Sequence, residues 1–205
     1  MSFVVSCHTP GVTTNLRERK KEHTRHALVQ TALELFAERG YDRVTIDDLA
    51  DACDVSPRTF FRYFATKEAV LFADVEDKRE RILDLLRTAS PERSPLEMLN
   101  RALLTIADEY APRRDALVLR RKILTATPVL QQRSAEWSAT SELGILAELR
   151  GSQRLSSAAD LALRVRVAAA LAAFRVAVEV WLEGSRRTLP DLAKAALAEL
   201  PEGRQ

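Results

Sequence analysis

A chain of 205 residues with 46% apolar and 29% charged residues has the length and balance of one or two ordinary globular domains. Its formal net charge of +2 excludes a nucleic-acid partner held by bulk charge, so any such contact must come from locally placed bases. Two cysteines make no disulfide framework and no stretch reaches the ~18 apolar residues of a membrane-spanning helix, so a cytoplasmic protein is expected.

Ala, Leu, Arg and Glu dominate, glycine is scarce and alternating Val/Ile/Thr runs are missing, so the expected fold is all-α. The opening MSFVVSC is short and lacks a basic start, unlike a signal peptide. Residues 1–16 carry Thr, Ser, Pro and Gly without helical period and are expected to be a disordered tail. A basic run, RERKKEHTR, follows, with Arg19, Lys20 and Lys21 at its centre; it is expected to act as an arm on DNA backbone or in a minor groove. Leu28, Ala32, Leu35 and Phe36 then mark one face of a first helix, which Gly40 stops in a left-handed exit.

Thr45 has the chemistry of an N-cap, with Asp48 three residues on as its capping-box partner. The short helix it opens ends near Cys53-Asp54, where Asp54 tolerates a turn conformation and Val55 plugs the corner. Ser56 and Pro57 start another helix at once. Two short helices across a tight turn outline a helix-turn-helix unit. The second of them, SPRTFFRYFATKEAV, holds four of the twelve aromatic residues in the chain. Phe60 and Phe64, four apart, share a face and suit burial, which leaves Arg58, Thr59, Phe61, Arg62 and Tyr63 outward. Arginine can bond a guanine edge bidentately, Phe61 can meet a thymine methyl, and Tyr63, Lys67 and Thr45 are placed to hold phosphates.

The run TIDDLADACDVSPRTFFRYFATKEAVL resembles the DNA-binding domain of TetR-family transcriptional regulators. Thr45, Asp48, Leu49, Ala50, Val55, Ser56, Thr59, Tyr63, Phe64 and Lys67 match the family pattern, and ALELFAERGYDRVTI matches its first helix and exit. The likeness covers about residues 20–72. Cys53 and Asp54 replace the usual small residue and glycine of the turn, Arg58 replaces a small residue, and Phe61 replaces a tyrosine. The resemblance implies a helix-turn-helix domain over residues 17–70 and a helical domain over 71–205 that dimerises and holds an inducer. It also implies a homodimeric repressor on a palindromic operator, released by a small, mainly apolar molecule of unknown identity.

Helices are expected at about 95–110, 113–126, 128–150, 158–183 and 190–200, separated by Pro112, Pro128, Gly-Ser-Gln at 151–153, Gly184 and Pro190. The stretch ADLALRVRVAAALAAFRVAVEVWLEG is apolar nearly all round and should be buried on several faces. With the last helix and its stripe of Leu192, Ala195, Ala196 and Leu200, it forms the natural two-fold interface. Candidate pocket residues are Arg120, Trp137, Phe174, Arg175, Glu179 and Trp181, together with Arg121, although a structural or interface ion pair is the favoured reading of Arg175 and Glu179.

An enzyme is disfavoured. The histidines, His8, His23 and His26, have no metal-ligand spacing with Cys or carboxylates, no glycine-rich phosphate loop occurs, and no catalytic residue, metal or cofactor is assigned. The alternatives are a DNA-binding regulator without a small-molecule inducer, controlled by a protein partner or by oxidation of Cys53, and a module that binds only protein.

Overall fold

The computed structural model describes residues 16–90, 92–151 and 155–200, with side chains from residue 19 onward. The predicted tail at 1–15 lies outside the described residues. Among the described residues nine α-helices follow in order: α1 Leu16–Arg39, α2 Ile46–Ala52, α3 Pro57–Tyr63, α4 Lys67–Arg87, α5 Pro95–Tyr110, α6 Arg114–Ala126, α7 Pro128–Arg150, α8 Ser157–Leu182 and α9 Leu189–Ala198. Short 3₁₀ turns at Tyr41–Arg43 and Ala111–Arg113 join α1 to α2 and α5 to α6, and no strand occurs among the described residues. The basic run does not form an arm; it is the opening of α1, where Arg19, Lys20 and Lys21 are exposed on helical backbone.

The helix starts obey local chemistry. Thr45 and Asp48 close a capping box on α2, and Ser94 and Glu97 close another on α5, where Pro95 occupies the first turn. Ser56, Thr66, Ser156 and Thr188 cap α3, α4, α8 and α9 through their hydroxyls. Each such cap is worth about 1 kcal/mol. Gly40 leaves α1 at φ 86° and ψ 143°. This region is open essentially only to glycine but is not the left-handed helical basin, because the chain turns straight into the 3₁₀ turn.

Two hydrophobic cores share α4, and α6 and α7 also contribute to both. The first gathers Leu28, Leu33 and Phe36 of α1, Leu49 of α2, Phe60 of α3 and Val70, Leu71 and Phe72 of α4, with Ile123 of α6 and Leu130 of α7. The second gathers Ile82, Leu83 and Leu86 from the far half of α4 with the inner faces of α5, α7, α8 and α9. The expected boundary at residues 70/71 therefore falls inside α4, whose early turns belong to one core and whose later turns belong to the other.

The long helix α8 is less enclosed than its composition suggests. It buries Val167, Ala170, Phe174, Ala177 and Trp181, while Leu161, Val165, Val176 and Val180 are 63%, 59%, 46% and 41% exposed. The last helix, α9, closes on the bundle through Leu189, Ala193 and Leu197, and Leu192, Ala195, Ala196 and Leu200 lie half-buried beside that seam.

Candidate nucleic-acid interface and effector cavity

The corner between α2 and α3 is built by backbone. Cys53 N–H donates to Ala50 O at 3.2 Å, Asp54 N–H to Asp51 O at 3.1 Å and Val55 N–H to Ala50 O at 3.0 Å. Asp54 adopts φ 51°, the left-handed angle that glycine usually supplies, and is the one described non-glycine residue with positive φ. Ser56 Oγ then accepts from Thr59 N–H at 3.1 Å and α3 begins.

Its two faces differ sharply. Phe60 is fully buried and Phe64 is 4% exposed, their rings 5.8 Å apart, with Phe60 packed among Leu49 and the α1 residues. Opposite them Arg58 and Arg62 are exposed, and Phe61 is 53% exposed with its ring edge-on to Phe60 at 5.9 Å. Neither guanidinium has a hydrogen bond or ion pair among the described residues; that of Arg62 lies 5.2 Å from the Tyr63 ring centroid. Two free guanidinia flanking an exposed aromatic on a rigid short helix suit a groove edge.

Three of the predicted contacts sit differently. Thr45 Oγ1 is committed to Asp48, donating at 2.6 Å and accepting from its N–H at 3.1 Å, and the same pair holds the Asp48 carboxyl below the usual range. Thr59 Oγ1 pairs with Ser56 Oγ at 3.0 Å. Lys67 does not project as a phosphate grip: its ammonium donates to Tyr41 O at 2.8 Å and Val44 O at 2.9 Å, 4.1 Å from the Tyr41 ring centroid. It is a clamp that ties the start of α4 to the exit of α1, because unpaired carbonyls of the 3₁₀ turn need donors.

A strut that sequence reasoning did not assign joins α1 to α4. Arg25 donates bidentately to Asp77, both bonds at 2.8 Å, and its guanidinium lies 5.7 Å from the Phe64 ring centroid. It links the aromatic support of α3 to the middle of α4.

A cavity of about 650 Å³ lies among α4, α5, α6, α7 and α8. Of the expected pocket residues, Arg120, Arg121, Phe174, Arg175 and Glu179 line it. Trp137 and Trp181 do not. Trp137 is stacked on Phe72 at 5.4 Å in the first core, and Trp181 is 5% exposed in the second, with the Arg114 guanidinium 5.6 Å from its ring. Arg175 and Glu179 form the foreseen i,i+4 pair at 2.8 Å, although both side chains are substantially exposed. Lys78, absent from the sequence-derived set, also lines the cavity; burial pushes its ammonium down to about 8, Arg120 adds to that, and Asp74 opposes it. The signal was present: Leu71, Val75, Lys78 and Ile82 follow helical core spacing, with a lysine where an apolar residue belongs.

Among the described residues no Cys/His/carboxylate group could hold a metal ion, and no helix is long and apolar enough to cross a membrane.

Comparison with known proteins agrees with this architecture. The family model for bacterial regulatory proteins of the tetR family matches residues 28–73, and the model for the MftR C-terminal domain matches residues 93–205. The transcriptional regulator TcmR of Streptomyces glaucescens is 38% identical over 91 residues, which is 44% of this chain but only 40% of that protein. The transcriptional repressor Rv3405c of Mycobacterium tuberculosis is 32% identical over 154 residues, covering 74% of this chain and 70% of its own. Among solved structures, Thermus thermophilus FadR, a transcriptional repressor in complex with lauroyl-CoA, superposes with a TM-score of 0.53 at 24% identity, over 88% of this chain and 97% of that one. These relatives are regulators of transcription rather than enzymes. With both of its halves matched by models of that family, the chain belongs to the TetR family of bacterial regulatory proteins.

Proposed function

We propose that this protein is a transcriptional repressor that reads a palindromic operator as a homodimer and releases it when a small molecule fills the cavity. The observation that carries the reading is the division of α3: Phe60 and Phe64 are locked into the core while Arg58, Phe61 and Arg62 stand exposed on the other side. Arg62 and Arg58 are the base-reading candidates, and Arg19, Lys20 and Lys21 on the first turns of α1 are the phosphate contacts.

The dimer is supported by α8, where Leu161, Val165, Val176 and Val180 form an exposed apolar stripe that a second copy would cover. Release is supported by α4. Its residues Val75, Lys78, Arg79 and Ile82 line the cavity, while Asp77 of the same helix holds Arg25 of α1. A ligand that prefers one placement of α4 shifts the dimer between a DNA-competent and an incompetent spacing of its two α3 helices.

Selection of a random duplex library by the purified protein, followed by titration of the winning sequence at two salt concentrations, tests this. The expected result is a palindrome bound by an even number of protomers, with salt-dependent affinity. Arg62→Ala should weaken that complex by about 1–3 kcal/mol and relax one base position per half-site. A uniform loss on every sequence makes Arg62 a phosphate contact; no enriched sequence removes the operator reading.

A further inference from the structure

The cavity carries a charge pattern that the reading above does not use. Its lining includes five Lys or Arg side chains against two Glu, set among apolar residues such as Ile82, Leu103 and Phe174. Three of the five bases are neutralised in place. Arg79 bonds Glu76 at 2.5 Å and Glu80 at 2.6 Å, Arg121 bonds Glu183 at 2.8 Å and the Glu179 carbonyl at 3.0 Å, and Arg175 bonds Glu179 at 2.8 Å.

Lys78 of α4 and Arg120 of α6 are left. Lys78 makes no hydrogen bond or ion pair among the described residues. Arg120 is 17% exposed and meets only Asp74, at 3.8 Å, an acid already shared with Arg113 at 3.6 Å. Its Nη1, the atom that faces Asp74, is buried and has no hydrogen-bond partner. A buried cationic donor left unpaired beside an apolar wall is costly, and an anion that completes it recovers that cost. Asp74, one turn before Lys78 on α4, lies 3.8 Å from Arg120, so the two bases flank one carboxylate, while Glu142 lines the cavity from α7.

We propose that Lys78 and Arg120 form an anion seat, and that the cavity takes an amphipathic small molecule with an apolar body and one anionic group, a carboxylate or a phosphate. The inference rests on the cavity being the effector site. Its volume of about 650 Å³ falls within the range of small-molecule sites. Bidentate Arg120 and the point charge of Lys78 together match either headgroup, and the apolar body lies along Ile82, Leu103 and Phe174. The seat bridges α4 and α6. An anion there draws Arg120 from Asp74 and ties it to Lys78, one residue from the Asp77 that holds α1. Headgroup charge thereby acts on the helix that supports α3.

Calorimetric titration of the full chain with decanoate, decyl phosphate, 1-decanol and decylamine, all below their micellar concentrations, tests the seat. At least one of the two anions should bind about tenfold or more tighter than decanol, with decylamine weakest, and the better anion identifies the headgroup. Lys78→Met and Arg120→Met should each lower the anion affinity by about tenfold while leaving decanol unchanged, and Lys78→Arg should retain it. Decanol binding as tightly as both anions, or anion affinity unchanged in both methionine variants, overturns the seat and leaves the cavity as an effector site. No binding of any of the four probes overturns the effector site itself, and the seat with it. Should a methionine variant fail to fold by circular dichroism, the probe series on the unsubstituted protein still decides.

Discussion

In the DNA-reading half, the polar groups that start each helix are satisfied three residues away: Thr45 by Asp48, Ser56 by Thr59, Thr66 by Ala69. In the bundle, arginines reach across the chain, with Arg114 donating to Trp181 O, Arg121 to Glu179 O and Arg87 to Glu148, over separations of 67, 58 and 61 residues. The first half buries Phe36, Phe60, Phe64 and Phe72, whereas the second keeps a cavity of about 650 Å³ with cations on its wall. A reading head must hold one geometry to match a groove. A bundle that takes an effector, as proposed, must leave room and unspent interactions for it, at the expense of its own packing.

This contrast can be broken most directly with two phenylalanine truncations. Phe60→Ala, at a fully buried site, should cost about 3–5 kcal/mol by urea denaturation, while Phe174→Ala, whose ring already borders the cavity, should cost about half as much. Equal losses would mean that the cavity wall is packed as tightly as the reading head. Lys67→Met removes two charge-assisted bonds to carbonyls and should lower stability by about 2–3 kcal/mol while leaving the salt slope of DNA binding unchanged. A slope shallower by about one unit, with stability kept, would instead return Lys67 to the phosphate contacts.

The smallest effect sharpens the comparison through pH. Burial depresses the Lys78 ammonium to about 8, so between that value and the ordinary lysine range the unfolded chain binds the extra proton and stability rises with pH. The gain approaches roughly 1.4 kcal/mol per unit across that window, so about 1–2 kcal/mol is expected on going from pH 8 to pH 9.5. Lys78→Met should abolish the rise. Tyr41 and Tyr110, both pushed up by burial, act in the opposite sense only as pH climbs through and beyond the ordinary phenol range. Urea midpoints at the two pH values for both proteins provide the check.

Much of the fold was legible because its determinants are short-ranged. The capping box at Thr45 and Asp48, the strained turn at Asp54 and the Phe60/Phe64 face all occur as foreseen, and the helices from α5 to α9 lie within a residue or two of their expected positions. The misplacements have a common cause. Lys67 turned inward because carbonyls at Tyr41 and Val44, more than twenty residues earlier, needed donors. Trp137 left the pocket because Phe72 lies beside it, and the basic run, largely exposed, continues the helix whose packed residues begin at Leu28.

The sequence by itself determined the helix starts, the shape of the reading unit and which aromatics are buried, since capping, turn conformation and i,i+4 spacing act within a few residues. Only the tertiary structure decided which charges remain unspent. Arg25 and Arg121 found carboxylates 52 and 62 residues away, Arg58 and Arg62 are exposed without partners among the described residues, and Lys78 and Arg120 were left facing a cavity. A guanidinium is chemically the same in all of these places; its role depends on whether a distant carboxylate packs within hydrogen-bond distance of it, and that distance exists only once the helices have closed on one another.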